Sequence, residues 1–257
     1  MPQKIIIFDV DGVIIDVSKT YHVAIKKTVE SYLNREIPLE EIKKYKFGFG
    51  INNDYYASYA IIAHLKYGVP YEEIKKLSKE CKNAVADCLR KQYNLPLTVE
   101  EVTQTFIRFF DQIKDDEVLL IEPFVFEWLK RKKYKLGVLT GRPKADVEYS
   151  FKKFNLLDKF DVIVHDDTLS DISLKKPNPY ALKYTLDLLG AKKETEKYYI
   201  GDTISDLSMA TEYKTQYNDR NLTYIHCNFT EEHKRENLKG DITFYHPEEL
   251  KNFLLEI

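Results

Sequence analysis

The hydrophobic pattern of this chain changes character twice. Ile5 to Phe8 is an unbroken apolar run that stops at Asp9, and a continuous run of strand length predicts a strand buried on both faces. Val13 to Ser18 continues apolar and extended. From Thr20 the apolar positions, Val23, Ala24, Val29 and Leu33, take helical spacing, and no further buried strand is expected before about Asp116. Helices are predicted from Pro38 through Ile42, over residues 55–67, over 71–93 and over 99–113, with Gly68-Val69-Pro70 and Leu95-Pro96 as breaks. Residues 45–54, with Gly48 and Gly50 among aromatics, are read as a break in the helical pattern.

Beyond residue 116 the pattern alternates. A helix over 124–133 behind Pro123, a strand over 135–140 ending at Thr140-Gly141, a helix over 144–154 and a strand over 161–164 come first. Pro177-Asn178-Pro179 opens a helix through Leu189, and a short strand over 198–200 runs into Gly201-Asp202. A helix over 204–213, strands over 222–227 and 242–245 and a helix over 248–255 finish the chain. Regular alternation of strand and helix predicts a parallel sheet covered on both faces. The first strand needs partners that the helical block does not offer, so it should pair with strands beyond residue 134. The expected fold class is α/β, a Rossmann-like three-layer core with a parallel sheet over residues 1–15 and 117–257, with an all-α domain inserted over 16–116.

Composition narrows this picture. A hydrophobic fraction of 44% in 257 residues can fill a core, and 9 Gly and 9 Pro leave no room for a collagen-like or disordered reading. Charged residues make up 31% but nearly cancel to a net charge of -2, and no Lys/Arg run suggests a nucleic-acid track. No apolar run reaches membrane-spanning length, and nothing near Met1 resembles a signal peptide, so a cytoplasmic protein without membrane or nucleic-acid partners is expected. Of the three cysteines, Cys81 and Cys88 stand seven apart in a helical pattern. They are read as sharing a helix face in a reducing compartment, not as a bridge.

Reactive side chains cluster at the predicted strand ends. Asp9 and Asp11 follow the first strand, Thr140 the second, and Asp202 and Asp206 a later one, with Lys176 in the loop after a strand between them. In a parallel sheet these ends share one edge, where ligands bind. Grouped carboxylates repel unless a cation sits among them, and an oxygen-only set suits Mg²⁺. A metal, an ammonium and a hydroxyl together match the needs of a phosphoryl group.

The stretches DVDGV at 9–13, LTGRP at 139–143, KKPNP at 175–179 and GDTISD at 201–206 resemble, in order, the motifs of the haloacid dehalogenase superfamily. The likeness is to its phosphatase branch with a helical cap after the first motif, the phosphoglycolate phosphatase-like subfamily. It implies that Asp9 is the nucleophile that forms an aspartyl-phosphate and Asp11 the acid and then the base. It further implies that Thr140 and the Gly141 amide hold phosphate oxygens and that Lys176 neutralises charge. Mg²⁺ would be held by Asp9, the Asp11 carbonyl, Asp202, and Asp206 directly or through water. Asp11 points away from the dehalogenating members, which lack an acid at this position.

The resemblance thus implies a Mg²⁺-dependent phosphatase for a small-molecule phosphate ester, monomeric or homodimeric, with the inserted block as a mobile lid. Its alternatives are a sugar phosphomutase of the same superfamily or a non-catalytic metal-binding regulator. Within the lid, residues 47–54 combine aromatics with Asn52, Asn53 and Asp54, and Phe49 and Asn53 are the substrate-selecting candidates. His22 is read as a surface or core histidine, and Asp166 and Asp167 as loop acids.

Overall fold

Ile5–Phe8 forms strand β1, with all four side chains buried. The computed structural model describes residues 4–51, 53–81, 84–230 and 238–257. Strand β1 lies inside a six-stranded sheet together with β4 (Lys135–Leu139), β5 (Val162–Val164), β6 (Lys197–Gly201), β7 (Leu222–Cys227) and β8 (Ile242–Phe244). The order is β5-β4-β1-β6-β7-β8, and every pair is parallel. Phe8 is in register with Val138 on one side and Ile200 on the other, so the carboxyl ends of the three central strands are level.

Both faces of β1 are covered, which is why its sequence shows no alternation. Ile5 and Ile7 pack with Ala181, Leu182 and Leu186 of α9 (Pro179–Leu188) and with Met209 and Ala210 of α10 (Ile204–Gln216). Phe8, of opposite parity, meets Phe126 of α7 (Pro123–Arg131) edge to face at 5.4 Å between ring centroids. Phe151 of α8 (Lys144–Lys153) and Phe160 extend that aromatic cluster. Helix α11 (Pro247–Glu256) closes the chain. A two-residue antiparallel ladder between β2 (Ile15–Asp16) and β3 (Val118–Leu119) is too short to leave a periodic signal.

The chain divides into two compact units, Met1–Asp16 with Val118–Ile257, and Val17–Glu117. The second contains the helices α1 (Tyr21–Leu33), α2 (Leu39–Phe49), α3 (Asp54–Tyr67), α4 (Tyr71–Cys81), α5 (Val85–Tyr93) and α6 (Val99–Phe110). Its interior is built from Ile25, Tyr59, Ile61, Phe106 and their neighbours. Helix α6 opens on a capping box in which Thr98 and Glu101 satisfy each other's backbone N–H groups.

Three expectations for this unit are corrected. Helix α2 does not stop at Ile42 but runs to Phe49, and Gly48 lies inside it. A Cβ at Gly48 would stand 2.0 Å from the Tyr71 hydroxyl, so this glycine serves a close approach, while Gly50, at φ 67°, ends the helix. The single helix expected over 71–93 is two helices, and Cys81 and Cys88 form a disulfide with their Cα atoms 6.7 Å apart. On one straight helix a separation of seven gives ~10.5 Å, so the bridged pair does not lie on one straight helix. Among the described residues no helix is long and apolar enough to cross a membrane.

Candidate active site

The turn after β1 delivers the first two carboxylates. The Asp9 N–H continues the ladder to the Ile200 carbonyl at 2.9 Å, and the N–H groups of Ile14 and Ile15 both return to the Val10 carbonyl at 2.9 Å. Gly12 sits inside this turn at φ 68°, and a Cβ there would lie 1.9 Å from Asp202 Oδ2. Gly201 plays the matching part across the sheet, since its Cβ would fall 2.5 Å from the Asp206 side chain. Both glycines therefore make room for carboxylates, and Gly12 also meets the positive φ of its turn.

Lys176 joins these acids. Its ammonium stands 3.0 Å from Asp9 Oδ2 and 2.7 Å from Asp206 Oδ1, and it donates to the Leu139 carbonyl at 3.3 Å. Asp9, Asp202, Asp206 and Lys176 are all buried. Burial pushes the Asp9 carboxyl up to about 7, against the pull of Lys176 and with the push of Asp206 and Asp11. Burial, then the charges of Asp9 and Asp206, raise Asp202 well above the carboxylate range. For Asp206 burial is outweighed by Lys176, Thr203 and Tyr199, and its carboxyl is held low. Burial likewise opposes the charge on Lys176, yet Asp206 and Asp9 hold its ammonium above the usual value.

Both oxygens of Asp206 are engaged. Oδ2 accepts from the Thr203 N–H at 3.1 Å and the Thr203 hydroxyl at 2.6 Å, a capping box at the start of α10. Oδ1 faces Lys176 and accepts from the Tyr199 hydroxyl. The part Tyr199 plays is not legible in the sequence alone. The available signal was a tyrosine in a wholly buried strand, whose hydroxyl must find a partner.

Arg142, within the LTGRP stretch, has no role legible in the sequence alone. It is buried, and its Nε–H donates to Asp11 Oδ1 at 2.7 Å. Thr140 is buried at the same strand end and its hydroxyl accepts from the Arg142 N–H at 3.2 Å, while Gly141 is exposed at the turn. Asp166 pairs with Lys175 at 2.8 Å and Asp167 accepts from the Lys144 N–H at 2.6 Å, so both acids, in a 3-10 turn after β5, brace their surroundings, Asp167 at the start of α8.

The lid candidates have packing and capping contacts within the helical unit. Phe49 is 1% exposed and packs among Tyr45, His64 and Tyr71, with the Tyr71 ring 4.9 Å away between centroids. In this conformation the Phe49 ring is enclosed by those three side chains. Asn53 is the N-cap of α3, accepting from the Tyr56 N–H at 3.1 Å. Asn52 lies outside the described residues. His22 is half-buried and its ring meets Phe47 edge to face at 5.8 Å.

The donor set suits a divalent cation. Asp9, Asp202 and Asp206 each bring a carboxylate oxygen to within 4.8 Å of the others. With all three ionised, the carboxylates against the ammonium of Lys176 leave two negative charges, a state that burial opposes at Asp9 and Asp202 and that one divalent ion balances. All the donors are oxygens, the preference of Mg²⁺.

The chain resembles known proteins in both sequence and fold. The sequence profile of haloacid dehalogenase-like hydrolases matches residues 6–218. The phosphoglycolate phosphatase of Aquifex aeolicus (strain VF5) is 27% identical over 205 residues, 80% of this chain and 78% of that protein. Pyrophosphatase PpaX of Bacillus cereus (strain AH820) is 36% identical over 112 residues, which is 42% of this chain and only half the length of that relative. Among solved structures, phosphatase Tt82 from Thermococcus thioreducens superposes with a TM-score of 0.62 at 24% identity, over 86% of this chain and 91% of that one. At that identity the likeness is one of fold.

Proposed function

Because this chain belongs to the haloacid dehalogenase-like hydrolase family, we propose that it is a phosphatase hydrolysing a small phosphorylated metabolite through a phosphoryl group carried on Asp9. The observation that carries the reading is the contrast between two acids delivered by one turn. Asp9 is buried against Lys176, whereas the Asp11 side chain is one-third exposed. A dry carboxylate paired with a cation suits in-line attack, and a carboxylic acid with access to water suits proton transfer.

In the first step an Asp9 oxygen bonds to phosphorus as the bond from phosphorus to the leaving oxygen breaks, and Asp11 gives its proton to that oxygen. In the second, Asp11 takes a proton from water, the water oxygen bonds to phosphorus, and the bond to Asp9 breaks. Asp9 is restored and inorganic phosphate is released. Lys176, the Thr140 hydroxyl and the Gly141 amide hold the phosphoryl oxygens, adding positive charge and donors where negative charge develops.

Asp9, Asp202 and the Asp11 carbonyl would hold Mg²⁺. Asp206 would reach it through water, since both of its oxygens already accept from protein donors. When bound, the ion supplies charge neutralisation to the carboxylates and the phosphoryl oxygens. By the family resemblance, the helical insertion is a cap. The dehalogenating branch is disfavoured by Asp11, because halide departure needs no proton. Phosphate release from a panel of phosphorylated metabolites, with and without Mg²⁺, tests the reading. Metal-dependent release from some members supports it, and full activity in a chelator sinks it.

A further inference from the structure

Arg142 is buried beside Asp11, and its guanidinium faces one oxygen of that carboxylate. Its side chain is 1% exposed, in contrast to the 33% of Asp11. The guanidinium makes two contacts with the same Asp11 oxygen. Nε–H donates to Oδ1 at 2.7 Å, and Nη2 stands 2.5 Å from Oδ1. At the far edge Nη1–H donates to the hydroxyl of Ser150, a buried residue of α8, at 2.8 Å. The backbone of Arg142 is tied down as well, its N–H to Thr140 Oγ1 and its carbonyl to the Asp166 N–H at 2.9 Å. A planar group fixed at both edges and at its root turns little, so the Asp11 carboxylate it grips turns little.

We propose that Arg142, anchored by Ser150, is a positioning residue that keeps the transferable proton of Asp11 on Oδ2. A protonated carboxyl carries hydrogen on one oxygen only. An oxygen that faces a guanidinium and accepts its N–H has its lone pair engaged, and a hydrogen placed on it would point at a cation. The proton is therefore directed to Oδ2, the oxygen outside the grip. The inference rests on the phosphatase reading, in which that proton goes to the leaving oxygen as its bond to phosphorus breaks, and Oδ2 later takes one from water. Arg142 touches neither phosphorus nor the leaving group in this scheme and acts through Asp11 alone.

The consequence is a dependence on the leaving group. An alkoxide needs the proton in the transition state, whereas 4-nitrophenolate leaves without it. Steady-state kcat/KM should be measured for wild type, Arg142→Met, Arg142→Lys and Ser150→Ala on simple alkyl phosphates and on 4-nitrophenyl phosphate, all with Mg²⁺ and with thermal melts alongside. Arg142→Met is expected to lose about 10²-fold in kcat on alkyl esters, the low end of a general-acid contribution, with little change in KM and only a few-fold loss on the nitrophenyl ester. Arg142→Lys should recover part of the alkyl-ester rate, since it returns the charge without the fork. Ser150→Ala, a milder change that decides the matter if Arg142→Met does not fold, should show the same leaving-group dependence at roughly a few-fold. Equal loss on every ester, or no loss in either variant, overturns the positioning role while leaving the phosphatase reading intact. A wild-type protein that hydrolyses no ester of the series sinks the phosphatase reading, and the role of Arg142 with it.

Discussion

Lys176 and Asp9 form a buried ion pair at 3.0 Å, and the same ammonium reaches Asp206 at 2.7 Å, so one cation ties the end of β1 to the first turn of α10. Removing that cation leaves buried carboxylates facing one another. Lys176→Met is expected to cost about 3–5 kcal/mol of stability, the usual penalty for orphaning a buried charge. Urea unfolding of wild type and variant under identical conditions measures it. A difference below about 1 kcal/mol would mean that the acids find other relief.

Divalent metal should relieve the same crowding from the other side. Mg²⁺ is expected to raise the melting temperature of the wild-type protein, by the equivalent of about 2.7 kcal/mol at a hundredfold excess over its dissociation constant. Asp202→Asn, which removes a buried carboxylate of the three-acid group, should abolish most of that rise. An unchanged Mg²⁺ response in Asp202→Asn would place the ion elsewhere.

Within the helical unit, Phe49→Ala removes a ring enclosed by Tyr45, His64 and Tyr71. A loss of about 3–5 kcal/mol is expected, as for other buried aromatics, with the ranking of substrates unaltered. Asn53→Ala removes a helix cap and should cost about 1 kcal/mol. Melting curves and relative kcat/KM across a substrate panel decide both. A stable Phe49→Ala protein with changed substrate preference would restore a substrate-selecting role.

The Cys81–Cys88 bridge makes a direct chemical prediction. Thiol titration of unfolded, unreduced protein should find Cys227 and not the other two. Reduction should lower stability by about 2–3 kcal/mol, the chain-entropy value for so short a loop. Three titratable thiols before any reductant is added would contradict the bridge.

The sequence carried the sheet and the acids of the site because each is written locally. An apolar run ending in Asp9, or a short strand ending in Gly201-Asp202, states both the element and what its end presents. Relationships across the chain were silent. Gly48 reads as a helix breaker until the Tyr71 hydroxyl is seen in the space a side chain would fill. Arg142 lies 131 positions from Asp11, and no periodicity records which acid a buried arginine will meet. Tyr199 announces only that its hydroxyl needs a partner, not that the partner is Asp206. Residues seven apart in a helical pattern do not disclose that they belong to two helices, so the bridged cysteines read as one face.

The central claim, a phosphoryl group carried on Asp9, is tested most directly by trapping it. Wild-type protein mixed with a hydrolysed substrate and Mg²⁺, quenched in acid during turnover and reduced with borohydride, should yield homoserine in place of Asp9 in the N-terminal peptide. Without substrate, or with Asp9→Asn, the peptide should be unmodified and, in the variant, turnover lost. Steady phosphate release with no modification at Asp9, or an Asp9→Asn protein that still turns over at a near wild-type rate, would contradict the account.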